Sequence, residues 1–296
     1  MAPAVVVTSA LAEATARSAD PARREWLAEL PQRVADLAEQ WRLEVGDPFE
    51  PGGTVSWVAP ARDADGRDVV LKVAWTHDEG RDEAAGLAVW AGRGAVAVHT
   101  CSMDGRTTAM LLERCRPGVE LRTRPVDEQH RVVGDLVRQL HTAALPAGHG
   151  FRTLAQMCEA WGEQARAGHE RAPGVLDPAL VREGLVLWDE LPTTSREQVL
   201  LCTDLHAGNV LSGRRSPWLL IDPKPHVGDP HYDVVQHFLN CERELHTDPL
   251  VRAVAGVTDL DEERLVRWLF ARCVQECWRW PVLAPVARTL SSAALG

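Results

Sequence analysis

The residues best suited to chemistry lie on a short polar loop that follows an apolar run. Asp204 and Asn209 stand five positions apart, directly after the predicted strand 199–202. A carboxylate placed in this way can accept the proton of an attacking hydroxyl group, and an asparagine amide can bind Mg²⁺. Phosphoryl transfer needs both functions, because the nucleophile must be oriented and the phosphate charge neutralised. The pair is a short pattern that also arises by chance, so it needs support from elsewhere in the chain.

A second acid provides that support. Asp222 follows the apolar run 218–221, eighteen residues after Asp204. Hard cations prefer carboxylate oxygens, and the end of a strand holds such a group rigidly. We therefore expect Asn209 and Asp222 to be the metal ligands. The alternative is that Asp222 only ends a strand before a proline turn.

The third signal is a lysine in a chain that contains very few. The sequence has only two lysines, Lys72 and Lys224, against 30 arginines. Lys72 lies in the apolar run 69–74, which predicts a strand that would present its ammonium group to the α- and β-phosphates of a nucleotide. Glu83 on the following predicted helix is the expected partner, and Glu79 is the competitor. A plain surface lysine is the alternative.

Two further segments are expected to contact the nucleotide. In the segment 51–56, Gly53 and Ser56 belong to a glycine turn whose backbone N–H groups can approach phosphates, although an ordinary turn is equally compatible with it. The chain contains no Walker-type phosphate loop. The segment 110–115 would bond the adenine through backbone groups of Glu113 and Cys115.

The apolar periodicity predicts an α+β chain in two parts. A helix over 9–42 precedes a mostly antiparallel sheet with one inserted helix, and the rest is mainly helical. We expect a boundary at 116/117, with an N-terminal lobe 1–116 and a catalytic and substrate lobe 117–296. The predicted strands are 43–45, 55–60, 68–74, 95–99 and 109–112, and the predicted helices after the inserted one at 79–92 are 127–142, 153–170, 177–190, 233–244 and 261–280.

Charge and composition narrow the classes of partner. The formal net charge of −10 argues against a nucleic-acid binder and suits a cationic small molecule, although it also simply favours solubility. No run is long and apolar enough for a membrane span, and the N-terminus lacks the pattern of a signal peptide, so we expect a cytoplasmic protein. The seven cysteines are expected to be free thiols, and we expect a monomer or weak dimer.

Taken together, these segments resemble the aminoglycoside phosphotransferases, antibiotic kinases with a protein-kinase-like fold. The resemblance is strongest to the branch of streptomycin 6-phosphotransferases and hydroxyurea phosphotransferases, and it runs with gaps over about residues 50–280. It rests on Leu71-Lys-Val, Met110-Leu-Leu-Glu-Arg, Asp204-Leu-His-Ala-Gly-Asn-Val-Leu and the segment 218–233, which includes Gly-Asp-Pro-His-Tyr-Asp233. The resemblance implies a two-lobed fold, use of ATP and Mg²⁺, and Asp204 as catalytic base.

The sequence departs from the family pattern at one catalytic-loop position and leaves the acceptor pocket poorly defined. Cys202 stands where the family usually has a histidine that braces the loop. Candidate substrate contacts are His206 beside the base and, further on, Glu242, Glu276 and Trp278, which offer negative charge or cation–π contact to a cation. Each is equally or better explained as an ordinary loop, surface or core residue.

The leading interpretation is ATP-dependent O-phosphorylation of a cationic antibiotic, with a streptomycin-type aminoglycoside favoured and resistance or self-protection as the result. The same chemistry on hydroxyurea, on a basic cyclic peptide such as viomycin or capreomycin, or on a metabolic alcohol is a second interpretation. A pseudokinase that binds nucleotide without turnover is a third. The retained acid, amide and lysine set argues against it.

Overall fold

The N-terminal unit, Met1–Gly118, is built on a five-stranded antiparallel sheet in the order β1-β2-β3-β5-β4. The structure is a computed structural model, and it describes residues 5–78, 80–241 and 248–296. The strands are β1 Glu44–Val45, β2 Ser56–Arg62, β3 Asp68–Trp75, β4 Val98–Asp104 and β5 Thr107–Glu113, and helix α3, Glu83–Trp90, lies between β3 and β4 in the chain.

The hairpin predicted around residues 63–66 joins β2 to β3. The Asp63 N–H group donates to the Arg67 carbonyl at 3.1 Å, and Gly66 takes a positive φ of 77° that a residue with a Cβ rarely adopts. The second half of the sheet differs from the prediction, since β4 covers Val98–Asp104 rather than 95–99. Exposed and half-buried residues alternate along this edge strand and none is fully buried, so its apolar content was too low for the pattern to reveal it.

The single helix predicted over 9–42 is two helices, α1 Ser9–Ala16 and α2 Pro21–Gln40. Asp20 has an extended backbone, as the residue before a proline prefers, and its side chain caps α2 by accepting from the Ala22 N–H group at 2.9 Å. The predicted apolar stripe is correct for α2, whose Trp26, Leu30, Val34 and Leu37 are buried against the sheet residues Trp57, Leu71 and Val73 in one core.

The C-terminal unit, Val119–Gly296, is mainly helical with two small two-stranded sheets. Strand β6 pairs with β9, and β7 pairs with β8, both antiparallel. The helices are α4 Val126–His141, α5 Leu154–Arg171, α6 Pro178–Thr194, α7 Val235–Asn240, α8 Asp248–Thr258, α9 Glu262–Glu276 and α10 Leu283–Leu295, and the strands are β6 Val199–Leu201, β7 Val210–Ser212, β8 Trp218–Leu220 and β9 His226–Gly228.

Helix α9 forms the centre of the helical core. Its residues from Trp268 to Gln275 are buried without a break, which is typical of a helix surrounded by others. Close approach to α6 depends on Gly184, where an added Cβ atom would lie 2.5 Å from Val274 Cγ2. The helix predicted over 233–244 is shorter, because Pro230–Val234 is a 3-10 turn and α7 ends at Asn240. Across the described residues, none of the helices combines the length and apolarity needed to cross a bilayer.

Candidate active site

The predicted base and amide lie in direct contact on the loop after β6. The Asn209 Nδ2 atom donates to the Asp204 carboxylate oxygen Oδ2 at 3.2 Å and to the Asp204 carbonyl at 3.1 Å. A short 3-10 turn, Ala207–Asn209, brings the two residues together, and the His206 Nδ1 atom caps it by accepting from the Gly208 N–H group. The amide nitrogen thus orients the carboxylate, and the amide oxygen is the atom with which Asn209 would bind a cation.

The predicted second metal ligand lies at the same end of the β7–β8 hairpin as Asn209. The register pairs Val210 with Leu220, and the Ile221 N–H group donates to the Asn209 carbonyl at 2.8 Å. Asp222 follows directly, with a φ of 52° in the left-handed region, where strain is tolerated mainly at functional positions. An amide oxygen and a carboxylate converging on one hairpin end form an oxygen donor set that fits Mg²⁺.

Lys224 is paired with this acid. Its Nζ atom lies 2.7 Å from Asp222 Oδ1, so this lysine forms an ion pair with the neighbouring acid. Asp229 is enclosed elsewhere, where it accepts from Arg264 Nε and Trp268 Nε1, both at 2.6 Å. Burial opposes ionisation of Asp229, but hydrogen bonds from His231 and Trp268 outweigh it and lower the pKa of the carboxyl group.

Burial changes the proton affinity of the catalytic loop. It raises the pKa of Asp204 above its ordinary value of 3.8, although the nearby His206 and Lys224 partly offset the rise. His206 Nε2 lies 3.8 Å from Asp204 Oδ1, and burial lowers the pKa of this imidazole. A raised pKa makes the Asp204 carboxylate a stronger proton acceptor, as a general base requires.

A buried carboxylate that the sequence analysis assigned only to general bracing holds the loop in place. Asp233 is fully buried, and it accepts from the Cys202 N–H group at 3.2 Å and the Thr203 N–H group at 2.8 Å. The same carboxylate contacts His141 Nε2 at 2.9 Å, at the end of α4. His141 was missed, because nothing in the sequence around it distinguishes it from a polar residue closing a helix.

In the N-terminal unit, the predicted lysine and glutamate form a buried pair. Lys72 Nζ lies 2.7 Å from both carboxylate oxygens of Glu83, and the side chains are only 7% and 3% exposed. The register of the sheet puts Lys72 between Val58 and Met110, in the middle of β3. Its competitor as the partner, Glu79, lies outside the described residues.

The glycine turn at 51–56 and the end of strand β5 are the two further segments that were predicted to contact the nucleotide. An added Cβ at Gly53 would lie 3.0 Å from Ser56 Oγ, so these two residues form one tight turn before β2. The Glu113 N–H group donates to the Ala97 carbonyl at 2.8 Å, and the contact of Glu113 with an adenine stays a prediction. Cys115 is half-buried, and Gly118 packs against its carbonyl.

The predicted substrate contacts are dispersed. His206 is beside the base, whereas Glu276 is ion-paired with Arg272 at 2.7 Å. Trp278 packs so tightly on Gly168 that an added Cβ would lie 2.1 Å from its ring. Glu276 therefore forms an ion pair within α9 and Trp278 packs against α5, and the contact of either residue with a substrate stays a prediction. Glu242 lies outside the described residues.

The C-terminal unit holds an acid in contact with an amide and a second acid at the same hairpin end, and the N-terminal unit by itself holds a buried lysine–glutamate pair on its sheet. These are the residue types that protein-kinase-like phosphotransferases use. A family model described as aminoglycoside/hydroxyurea antibiotic resistance kinase matches residues 41–281. The chain belongs to this family, as its sequence resemblance predicted, and it is an enzyme that transfers a phosphoryl group to a hydroxyl group.

Individual relatives cover nearly the whole chain. A hydroxyurea phosphotransferase of Kitasatospora aureofaciens is 34% identical over 92% of this chain and 79% of its own length. A streptomycin 6-kinase of Streptomyces glaucescens is 30% identical over 99% of this chain and 98% of its own. Among solved structures, an amicoumacin kinase bound to AMP-PNP and Ca²⁺ has a TM-score of 0.60 at 13% identity, covering 92% and 95% of the two chains. The predicted α+β, protein-kinase-like fold is thereby confirmed.

Proposed function

We propose that this enzyme uses ATP and Mg²⁺ to phosphorylate a hydroxyl group of a cationic antibiotic of the streptomycin type and thereby inactivates it. The observation that carries the proposal is the contact between Asn209 and the Asp204 carboxylate, at the hairpin end that also presents Asp222. A base oriented by a metal-binding amide is the arrangement that transfer from a metal-bound nucleotide requires.

Each residue then has a definite task. Asp204 orients the acceptor hydroxyl and takes its proton, while Asn209 and Asp222 hold the cation. When bound, Mg²⁺ would neutralise charge on the phosphates. Lys72, held rigid by Glu83, would bind the α- and β-phosphates. Most of the rate would come from positioning and charge neutralisation rather than from covalent chemistry.

The choice of a streptomycin-type acceptor rests on how much of each relative the match covers and on the net charge of the chain. The match to the streptomycin kinase extends over essentially the full length of both chains, whereas the match to the hydroxyurea enzyme leaves about a fifth of that relative unmatched. The net charge of −10 also attracts a cation such as a guanidinium-bearing aminoglycoside. Hydroxyurea is the second candidate, because the relative that acts on it has the higher identity, 34%.

The test is ADP release with Mg²⁺-ATP in the presence of streptomycin, other aminoglycosides, hydroxyurea, viomycin or capreomycin. We expect turnover with streptomycin. Turnover confined to another compound would identify that compound as the acceptor instead. Asp204→Asn keeps the hydrogen-bonding shape but removes the base, so turnover should fall by about 10²–10⁴-fold. ATP binding, measured by thermal shift, should persist in this variant. Nucleotide binding without turnover by the wild type on the whole panel would argue for the pseudokinase.

A further inference from the structure

Two histidines and a cysteine that the phosphotransfer reaction does not use meet in the core of the C-terminal unit. His130 lies on α4, His237 on α7, and Cys241 one turn further along the chain. His130 Nδ1 is 2.9 Å from His237 Nε2, and that nitrogen is 3.7 Å from the Cys241 sulfur atom. The ligand atoms of these three side chains all lie within 4.8 Å of one another, so a single metal ion could bind all three.

The three side chains are almost completely enclosed. They are 5%, 0% and 8% exposed, respectively. A neutral imidazole is the form that binds metals, and a pair of imidazoles in contact cannot both carry a proton charge at low cost.

The separations approach those of a three-coordinate metal site. Metal–nitrogen bonds of about 2.0 Å and metal–sulfur bonds of about 2.3 Å in a plane place nitrogen and sulfur about 3.8 Å apart. The observed separation is 3.7 Å between His237 Nε2 and Cys241 Sγ. The two histidine nitrogens, now 2.9 Å apart, would have to open by about 0.6 Å to reach the planar value, which small ring rotations provide.

Charge selects among the metals. Binding removes the thiol proton of Cys241 to solvent, so the ligand set carries one negative charge. A monovalent ion makes the enclosed site neutral, whereas a divalent ion leaves a net positive charge in the core, which is costly. Thiolate and imidazole ligands with low coordination number suit soft Cu⁺. We propose that His130, His237 and Cys241 form a buried three-ligand site for Cu⁺.

The location gives the site a structural consequence. His237 is four residues after Asp233, and His130 is on the same helix as His141, the partner of that aspartate. An ion held by His130 and His237 would join α4 to α7, and the turn directly before α7 holds Asp233, the partner of His141. Metal loading should therefore raise the melting temperature of the protein. This inference does not rest on the acceptor proposed above.

The test compares two buried cysteines in a protein whose exposed thiol has been removed. In a Cys101→Ser background, Cu⁺ affinity is measured by anaerobic competition with a chromophoric Cu⁺ chelator. We expect one tightly bound equivalent. Cys241→Ser should weaken it by at least about 100-fold, because loss of even an indirect partner of a metal site costs 10- to 100-fold. Cys273→Ser, which alters a buried thiol on α9, should bind like the background.

X-ray absorption of the copper-loaded Cys101→Ser protein identifies the ligands of the ion without any substitution in the core. We expect a three-coordinate ion with two nitrogen ligands and one sulfur ligand. Sulfur-only ligation, or equal affinity in Cys241→Ser and Cys273→Ser, would overturn the site. His130→Gln provides a second variant should Cys241→Ser fail to fold. Tighter binding of Zn²⁺ than of Cu⁺ at these ligands would overturn the assignment of a monovalent ion.

Discussion

Replacing Asp233 with asparagine should disable the catalytic loop without touching any residue proposed to contact substrate. The two carboxylate oxygens of Asp233 serve three donors, the N–H groups of Cys202 and Thr203 and the imidazole of His141. An amide has only one oxygen. In Asp233→Asn, at least one of the two backbone N–H groups therefore faces an NH₂ group and loses its acceptor.

The size of the effect follows from that lost bond. A buried donor without an acceptor costs about 1–3 kcal/mol, and each kcal/mol lowers the melting temperature of a chain of this size by about 2–4 °C. Catalysis should suffer more than stability. Thr203 has a φ of 48° and directly precedes Asp204, so the strained backbone that aims the base loses its anchor. A displacement of about 1 Å lowers the rate by about 100-fold.

Asp229→Asn is the matched control. Asp229 is also fully buried and loses hydrogen bonds when it becomes an amide, but its partners, Arg264 and Trp268 of α9 and the nearby His231, lie outside the loop 202–209. We expect Asp229→Asn to lower the melting temperature and leave kcat largely unchanged. Asp233→Asn should lower kcat about 100-fold, with little change in the KM for ATP. Equal losses of kcat in both variants, or an unchanged kcat in Asp233→Asn, would refute the anchoring role.

Three other perturbations test different parts of the molecule. Glu83→Gln deprives the buried Lys72 ammonium group of its counter-charge, so the free energy of unfolding should fall by about 3–5 kcal/mol and the KM for ATP should rise. Denaturant unfolding measures the first effect and initial rates measure the second, and an unchanged KM would contradict the prediction. Because burial raises the pKa of Asp204, kcat/KM should fall on acidification at a pH above 3.8 as the carboxylate becomes protonated. An acid limb at or below that value in the pH–rate profile would contradict this. Gly184→Ala should destabilise the protein by about 1–3 kcal/mol, because the added methyl group overpacks the contact between α6 and α9. Gly256→Ala, whose methyl group would meet no neighbour, should stabilise the protein by about 0.5–1 kcal/mol. Equal melting temperatures of the two variants would contradict the packing argument.

The positions of the chemical residues were predictable because short-range rules govern them. Asp204 and Asp222 each follow a short strand, and Asn209 directly precedes the strand that pairs with the second one. Antiparallel pairing of two neighbouring runs then brings Asn209 to the same end as Asp222 without any knowledge of the rest of the fold. Lys72 was likewise predicted to pair with a glutamate on the following helix, because its apolar strand resembles the kinase lysine strand, with Glu83 as the expected partner and Glu79 as the competitor.

Long-range contacts were not predictable in this way. Lys224 pairs with Asp222 because the backbone turns at Asp222, which has a left-handed conformation that the sequence did not predict. His130 and His237 are 107 positions apart and meet only because α4 and α7 pack in the same core. Helices α8 and α10 were also missed. Their buried residues do recur at helical spacing, Val251 and Val254 in α8 and Leu283, Val286 and Ala287 in α10, so the signal was present in the sequence and was overlooked.

The unusual Cys202 is best understood through these long-range contacts. A histidine at this position would brace the loop through its side chain, but the Cys202 thiol is fully buried, and burial raises its pKa well above the ordinary range. It behaves as a small apolar group. Bracing is supplied through the main chain instead, by Asp233 bonded to two successive N–H groups and backed by His141. Because those bonds require no particular side chain at position 202, the loop keeps its geometry with a cysteine there, and the departure from the family pattern carries no loss of the base.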